Sequence, residues 1–314
     1  MVDERTSSHS PAAGFVHEAL IYRDEAEFDA AMQGFLHAAA AAGEPVLFAL
    51  PAGHLERVRD RMAGNDVPAR FEDAERVGRN PNRLLPMIEE WVSSHDGRAR
   101  VVSEVVWPGR TEAEAAEALR HEALLNRVLA DSGATVMSPF DGEQLDDAVL
   151  AGAEMTHPTV LEAGRRRAST SYRDPESMRF AELWPLPPAP GQASEYLLDG
   201  SLADLRHAVA VDPALGSLPV DRRRDLVFAV NEVATNAVRH GDGECVTRIW
   251  HERDEVVTEV SSSTAIDDMM AGCRRPAPEA LHGRGLWVIN ELCDLVEMRT
   301  DGAETTLRLH LSEH

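Results

Sequence analysis

The sequence predicts an α/β three-layer domain with a parallel sheet, followed by an α+β two-layer domain. Three observations predict it. Up to about residue 165, short apolar runs alternate with stretches of helical periodicity, the pattern of a parallel sheet covered by helices. A stretch with prolines at 185, 187, 188 and 190 then interrupts the chain. Beyond it strands group together and helices group together, which suits a sheet with helices on one face. The predicted boundaries are 15–165 for the first domain, 166–194 for a Pro-rich linker and 195–312 for the second domain. A chain of 314 residues is long enough for two such cores.

In the first domain EPVLFAL (44–50) reads as a buried strand and HLERVRDRM as a helix. RLLPMIEEWVSSH is helical with Ile88 and Trp91 on its apolar side, and ARVVSEVVW (99–107) is a strand. Thr111 followed by Glu114 forms a capping-box pattern that opens a long helix. TVMSPF is another strand and GEQLDDAVLAG another helix. The segment from Gly164 to Ser194 carries an arginine cluster and then the prolines, which lack donors and fix φ, so an extended connector is expected. In the second domain EYLLDG is a strand and SLADLRHAVAV a helix capped by Ser201. A longer helix is entered through Pro219. The strands CVTRIWHE and EVVTEVS follow, joined at Arg253-Asp254. An irregular segment from Ser262 to His282, the helix GLWVINELCDL and a closing hairpin complete the chain.

Composition excludes several classes. Hydrophobic content of 43% with 27% charged residues is globular. With 31 basic and 54 acidic residues the formal charge is −23, which repels phosphate backbones and argues against nucleic acid as a direct partner. Every Lys/Arg-type side chain is arginine, so a Walker P-loop and a lysine Schiff base are excluded. No apolar run is long enough for a membrane span and MVDERTSSHSPAAG is no signal peptide, so a cytoplasmic location is expected. Cys245, Cys273 and Cys293 form no CxxC and read as reduced apolar residues.

The chemistry concentrates in the second domain. In PVDRRRDLVFAVNEVATNAVRH, Leu226, Val230, Val233 and Ala237 form a buried stripe. Glu232 and Asn236 lie one turn apart on a second face, with His240 a turn further. An amide oxygen is a hard ligand suited to Mg²⁺, and the carboxylate can orient or deprotonate a hydroxyl. The bland alternative is a solvated face of an amphipathic helix. Gly283 and Gly285 precede a helix that starts at Leu286, a place where backbone N–H groups meet phosphate oxygens. Thr305 in the last hairpin can offer a hydroxyl to a phosphate.

N-E-x-x-x-N-A-x-x-H on a helix, G-x-G-L before a helix and a threonine in the final hairpin resemble the GHKL (Bergerat) ATPase fold. Over about 115 residues the order is most similar to RsbW-type anti-sigma factors, which double as serine kinases. The resemblance implies that Glu232 activates the attacking hydroxyl and that Asn236 holds Mg²⁺. It implies that Gly283, Arg284, Gly285 and Leu286 close over the phosphates of ATP, with Thr305 near the adenine or phosphates. HEALIYRDEAEFDAAMQGFLHAAAAAGEPVLFAL, NPNRLL, RVVSEVVWPGRTEAEAAEALRHEALLN and SPFD resemble the MEDS sensory domain, which implies a small ligand there. A MEDS domain ahead of an RsbW-like domain is similar in layout to RsbA-family anti-sigma regulatory proteins of actinobacterial type. Partners implied are a sigma factor, a STAS-domain anti-sigma antagonist, or both, and a homodimer.

The sequence departs from the GHKL pattern at EVSSSTAIDD. Aligned on Glu259-Val260, Ser262 takes the place of the aspartate that accepts the adenine amino group, and Thr264 that of the first glycine. Losing one charge-assisted hydrogen bond costs roughly 1.5–3 kcal/mol, about tenfold to a few hundredfold in affinity. Thr264 is also ill suited to a positive φ. Either Asp267 or Asp268 takes over after a register shift, or the base end is degenerate and ATP binding is weakened or lost. The first gives an active serine kinase using ATP and Mg²⁺, the second a pseudokinase that binds partners. LRHEALLN resembles the phosphoacceptor box of sensor histidine kinases, but His121 lies 111 residues before Glu232 and within an α/β pattern. His17, His121 and His157 are read either as lining a ligand pocket or as satisfied structural histidines.

Overall fold

The computed structural model describes residues 14–64, 66–198, 200–266, 268–276 and 283–313. The first half comprises β1 (Val16–Tyr22), α1 (Glu25–Ala42), β2 (Val46–Leu50), α2 (Ala52–Met62), β3 (Ala69–Asp73) and α3 (Ala74–Val77). It continues with α4 (Leu84–Ser93), β4 (Arg100–Ser103), α5 (Glu112–Val128), β5 (Thr135–Asp141), α6 (Asp147–Thr156), β6 (Thr159–Glu162) and β7 (Arg165–Ala168). The strands form one sheet in the order β3-β2-β4-β5-β1-β6-β7, parallel except for β7, which runs antiparallel to β6. Every residue of β2 is buried, as a strand covered on both faces requires. Phe28, Met32, Phe48 and Val58 pack on one face of the sheet, and Leu47, Ile88, Val101 and Leu124 on the other.

The local signals that start and stop these helices are chemical ones. Glu114 N–H donates to Thr111 Oγ1 at 3.2 Å while Thr111 N–H donates to Glu114 Oε2 at 2.8 Å, so the capping box at the head of α5 is complete. Helix α1 ends where Gly43 takes φ +67°, freeing the chain to turn into β2.

The short helix α7 (Phe180–Leu183) precedes the second half. There β8 (Ser194–Leu198), α8 (Leu202–Ala210), α9 (Val220–His240), β9 (Cys245–Glu252) and β10 (Glu255–Ser262) are followed by α10 (Gly285–Leu292), β11 (Leu295–Thr300) and β12 (Thr305–Ser312). This sheet is antiparallel throughout, in the order β11-β12-β10-β9-β8. Ser201 caps α8 by accepting from Asp204 N–H at 3.1 Å. Leu226, Val230, Val233 and Ala237 of α9 join Ile249, Val256, Val260, Leu309 and Leu311 in one core on the inner face of the sheet. The mostly parallel α/β unit and the separate antiparallel unit agree with the predicted fold class.

Two local expectations fail. The segment 99–107 forms a strand only at Arg100–Ser103. The arginine cluster after Gly164 is no simple connector, because Arg165–Ala168 pairs with Thr159–Glu162 across a tight turn. The turn places Ala163 and Gly164 both at positive φ, and Glu18 on β1 attracts Arg166. No helix among the described residues is long and apolar enough to cross a membrane.

Candidate functional site

Among the residues predicted to handle ATP the structure shows two close approaches, Gly285 to Glu232 and Ser262 to Thr305. Glu232 and Asn236 are half-buried on α9. A Cβ added to Gly285 would lie 2.8 Å from Glu232 Oε2, so the start of α10 approaches the carboxylate closely and a larger residue there would displace the Glu232 side chain. Gly283, with φ +82°, and Arg284 are exposed just before it, and Leu286 packs partly against the second core. Ser262 and Thr305 form the other pairing, directly opposite each other in the β10–β12 register. Both are buried, and the Thr305 hydroxyl lies 2.9 Å from that of Thr300.

The segment after β10 does not follow the expected path. Thr264 is not among the described non-glycine residues at positive φ, which are Asp96, Ala163 and Arg253. Its side chain instead turns inward: Oγ1 would lie 2.8 Å from a Cβ on Gly241 at the end of α9, and it has no hydrogen-bond partner. Asp268, the described candidate for a register shift, is exposed and accepts from Met270 N–H at 2.9 Å. That makes it a turn residue. Asp267 lies outside the described residues. The cleft that contains Ser262 is also lined by Asp242, Glu244 and Glu304. Carboxylates there oppose the approach of a polyphosphate.

Residues 268–276 then dock on the first half of the chain. Met270 and Cys273 are buried among Leu85, Ile88, Leu124 and Leu125, with Met269 at the edge. Arg120 on α5 donates to the Met269 carbonyl at 2.7 Å, and Glu117 on the same helix binds Arg299 of β11. The turn Arg79-Asn80-Pro81-Asn82-Arg83 caps the other end of α10. Asn80 and Asn82 each donate to Asn290 Oδ1 at 3.1 Å. Arg83 donates to the carbonyls of Asn290, Glu291 and Cys293 at 2.7, 2.9 and 2.7 Å. These are the carbonyls that a helix C-terminus leaves unpaired, at its negative end. Asn290 itself donates to Gly272 O at 3.0 Å, tying α10 to the segment ahead of it. Sequence reasoning missed Asn290 and gave NPNR no role. The available signal was three donor-bearing side chains around one proline, which fix a turn whose amides must find acceptors elsewhere.

The Pro-rich stretch covers the outer face of the second sheet. Trp184 O accepts from Arg299 Nε at 2.5 Å and Pro187 O accepts from Arg308. Arg308 grips Glu259 through Nε and Nη2 at 2.9 and 2.7 Å, and Arg248 reaches the same carboxylate at 3.1 Å. These residues and the prolines enclose a cleft of about 720 Å³. Phe180 and Trp184 pack against two of the first half's core clusters. On the same face His310 sits between Glu255 and Glu297, at 3.2 and 3.0 Å. Burial works against its charge, but these two carboxylates outweigh it and raise the imidazole to about 9. Arg79 reaches Glu255 at 3.1 Å, so the cluster touches the domain contact.

Of the three histidines singled out in the first half, His17 and His157 converge on Glu122, with ring centroids 4.0 Å apart. His121 is 1% exposed, and burial pushes its imidazole down to about 4, which suits a neutral interior side chain and not a phosphoacceptor.

Comparison with known families agrees with this division. Residues 16–158 match the family model of the MEDS domain, the methanogen/methylotroph DcmR sensory domain. Residues 197–311 match that of the histidine kinase-like ATPase domain. No curated protein matches the chain. The chain therefore carries a MEDS domain followed by a histidine-kinase-like ATPase domain, the layout of a regulatory protein.

Proposed function

We propose that this protein is a cytoplasmic anti-sigma-type regulator. Its ATPase-fold domain binds a sigma factor, a STAS-domain antagonist or both, under control of the sensory domain, with ATP binding weakened or lost. The observation that carries this reading is the course of residues 262–266 and 268–276. They leave β10 through a serine where the fold's adenine contact is a carboxylate, and they end with Met270 and Cys273 in the sensory domain's core. A segment committed to that contact is poorly placed to open and close over a nucleotide. It is well placed to pass a change in the first domain to the second.

A second reading, an active serine kinase that phosphorylates the antagonist, is favoured by the approach of Gly285 to Glu232. In that reading Asn236 holds Mg²⁺, Gly283 to Leu286 and Thr305 meet the nucleotide, and Glu232 takes the proton of the attacking serine. The test is to mix the full chain with purified sigma factor and STAS-domain protein, with and without ATP·Mg²⁺. A complex that forms without nucleotide, and equally well with Glu232→Gln, supports the regulator. Phosphate transfer to a serine that Glu232→Gln reduces by about 10² or more supports the kinase.

A further inference from the structure

We propose that His17, Glu122 and His157 form a binding site for one divalent transition-metal ion of the zinc class, buried in the sensory domain. The three residues come from β1, α5 and the residue after α6, and their side chains are fully buried. One ligand atom from each lies within 4.8 Å of the other two. The hydrogen-bond pattern says which atoms are acceptors. Asn126 Nδ2 donates to the carbonyls of Glu122, Ala123 and Thr156 at 3.2, 3.3 and 2.7 Å, so its Oδ1 is turned to His17 Nδ1 at 3.0 Å. His17 Nδ1 is thereby the protonated nitrogen. His157 Nδ1 lies 2.8 Å from the Ala153 carbonyl, which only accepts, so it too carries a proton.

Both Nε2 atoms then present lone pairs to Glu122 Oε2, at 3.1 and 3.4 Å. Ser138 supplies one donor, 2.9 Å from the same oxygen. Glu122 Oε1 and His157 Nε2 have no hydrogen-bond partner. Lone pairs converging in a dry interior repel one another unless a cation lies between them. Zinc bonds of about 2.0–2.2 Å in tetrahedral geometry place neighbouring ligand atoms roughly 3.2–3.6 Å apart, close to the observed spacings. Two imidazoles and a carboxylate are the donor set of a transition ion and not of Mg²⁺ or Ca²⁺. Hydrogen bonds from each Nδ1 to Asn126 and Ala153 are the outer contacts that orient metal-bound histidines. Three protein ligands leave a fourth position for a small molecule. Because α5 also carries Glu117 and Arg120, occupancy of the site acts on the helix that holds β11 and residues 268–276. The site stands whether or not the second domain holds ATP.

The full chain, stripped with chelator and dialysed, is titrated with Zn²⁺ and with Co²⁺. One equivalent bound, with visible Co²⁺ bands and a rise in Tm, is expected. Glu122→Gln and His157→Gln weaken this binding by more than about tenfold. No stoichiometric ion on the folded wild type overturns the proposal, and so does unchanged affinity in the variants. If the variants do not fold, X-ray absorption on the zinc-loaded wild type decides. A shell of two imidazoles and a carboxylate sustains the site, and sulfur or all-oxygen ligation overturns it.

Discussion

At the scale of single residues, Ser262 and His310 show opposite degrees of legibility. The place given to Ser262 rests on its spacing from the motifs on either side. Its consequence was readable only in part. The sequence pointed to a strained Thr264, whereas the backbone avoids positive φ and seats the side chain against Gly241. His310 carried no local signal, since its partners Glu255 and Glu297 lie 55 and 13 residues away and meet it only through sheet register. It yields a pH prediction. A histidine raised to about 9 in the folded state, against an ordinary value near 6.5, adds stability that is fully present below pH 6.5. That stability disappears as pH rises through 9. Urea unfolding should therefore lose on the order of 1–3 kcal/mol between pH 6.5 and pH 9.5 through this group. His310→Asn should flatten the slope over that interval. An unchanged slope would show that His310 contributes nothing to this pH dependence.

At the scale of elements, most helices and strands could be read from periodicity and caps, because those signals are local. Thr111 with Glu114 and Ser201 with Asp204 set helix starts where the sequence placed them. The strand β7 escaped because RRRA has no apolar alternation. Its pairing rests on backbone ladder bonds to β6 and on a charge pair with Glu18. The contact between the NPNR turn and α10 escaped for a related reason: its partners are separated by about 210 residues and meet through polar side chains and backbone carbonyls. Asn290 holds this contact together. Asn290→Ala leaves the buried donors of Asn80 and Asn82 short of an acceptor and frees Gly272. We expect a loss of about 2–4 kcal/mol on urea unfolding. Amide exchange in residues 268–276 should also become faster. A loss under about 0.5 kcal/mol would mean that the contact contributes little.

At the scale of the whole molecule, composition bounded the two halves and excluded a P-loop, but it said nothing of how the halves meet. That depends on side chains from α5, the NPNR turn and the proline-rich stretch acting together. Phe180 and Trp184 stack with ring centroids 5.9 Å apart while packing on the first half, and Trp184 O binds Arg299 of the second. The stretch should therefore resist limited proteolysis between Met178 and Pro188. Replacing Phe180 and Trp184 with serine should expose it to cleavage, and rapid cleavage of the wild type there would contradict the docking. In the proposed function the ATPase fold keeps its coupling to the sensory domain while its hold on nucleotide is weakened or lost. Calorimetric titration of the full chain with ATP·Mg²⁺ tests it most directly. A Kd on the order of 100 µM or weaker is expected for the wild type. Binding tighter by about tenfold or more is expected in Ser262→Asp with Thr264→Gly. A wild-type Kd of about 1–5 µM, unimproved by that pair of changes, would contradict it.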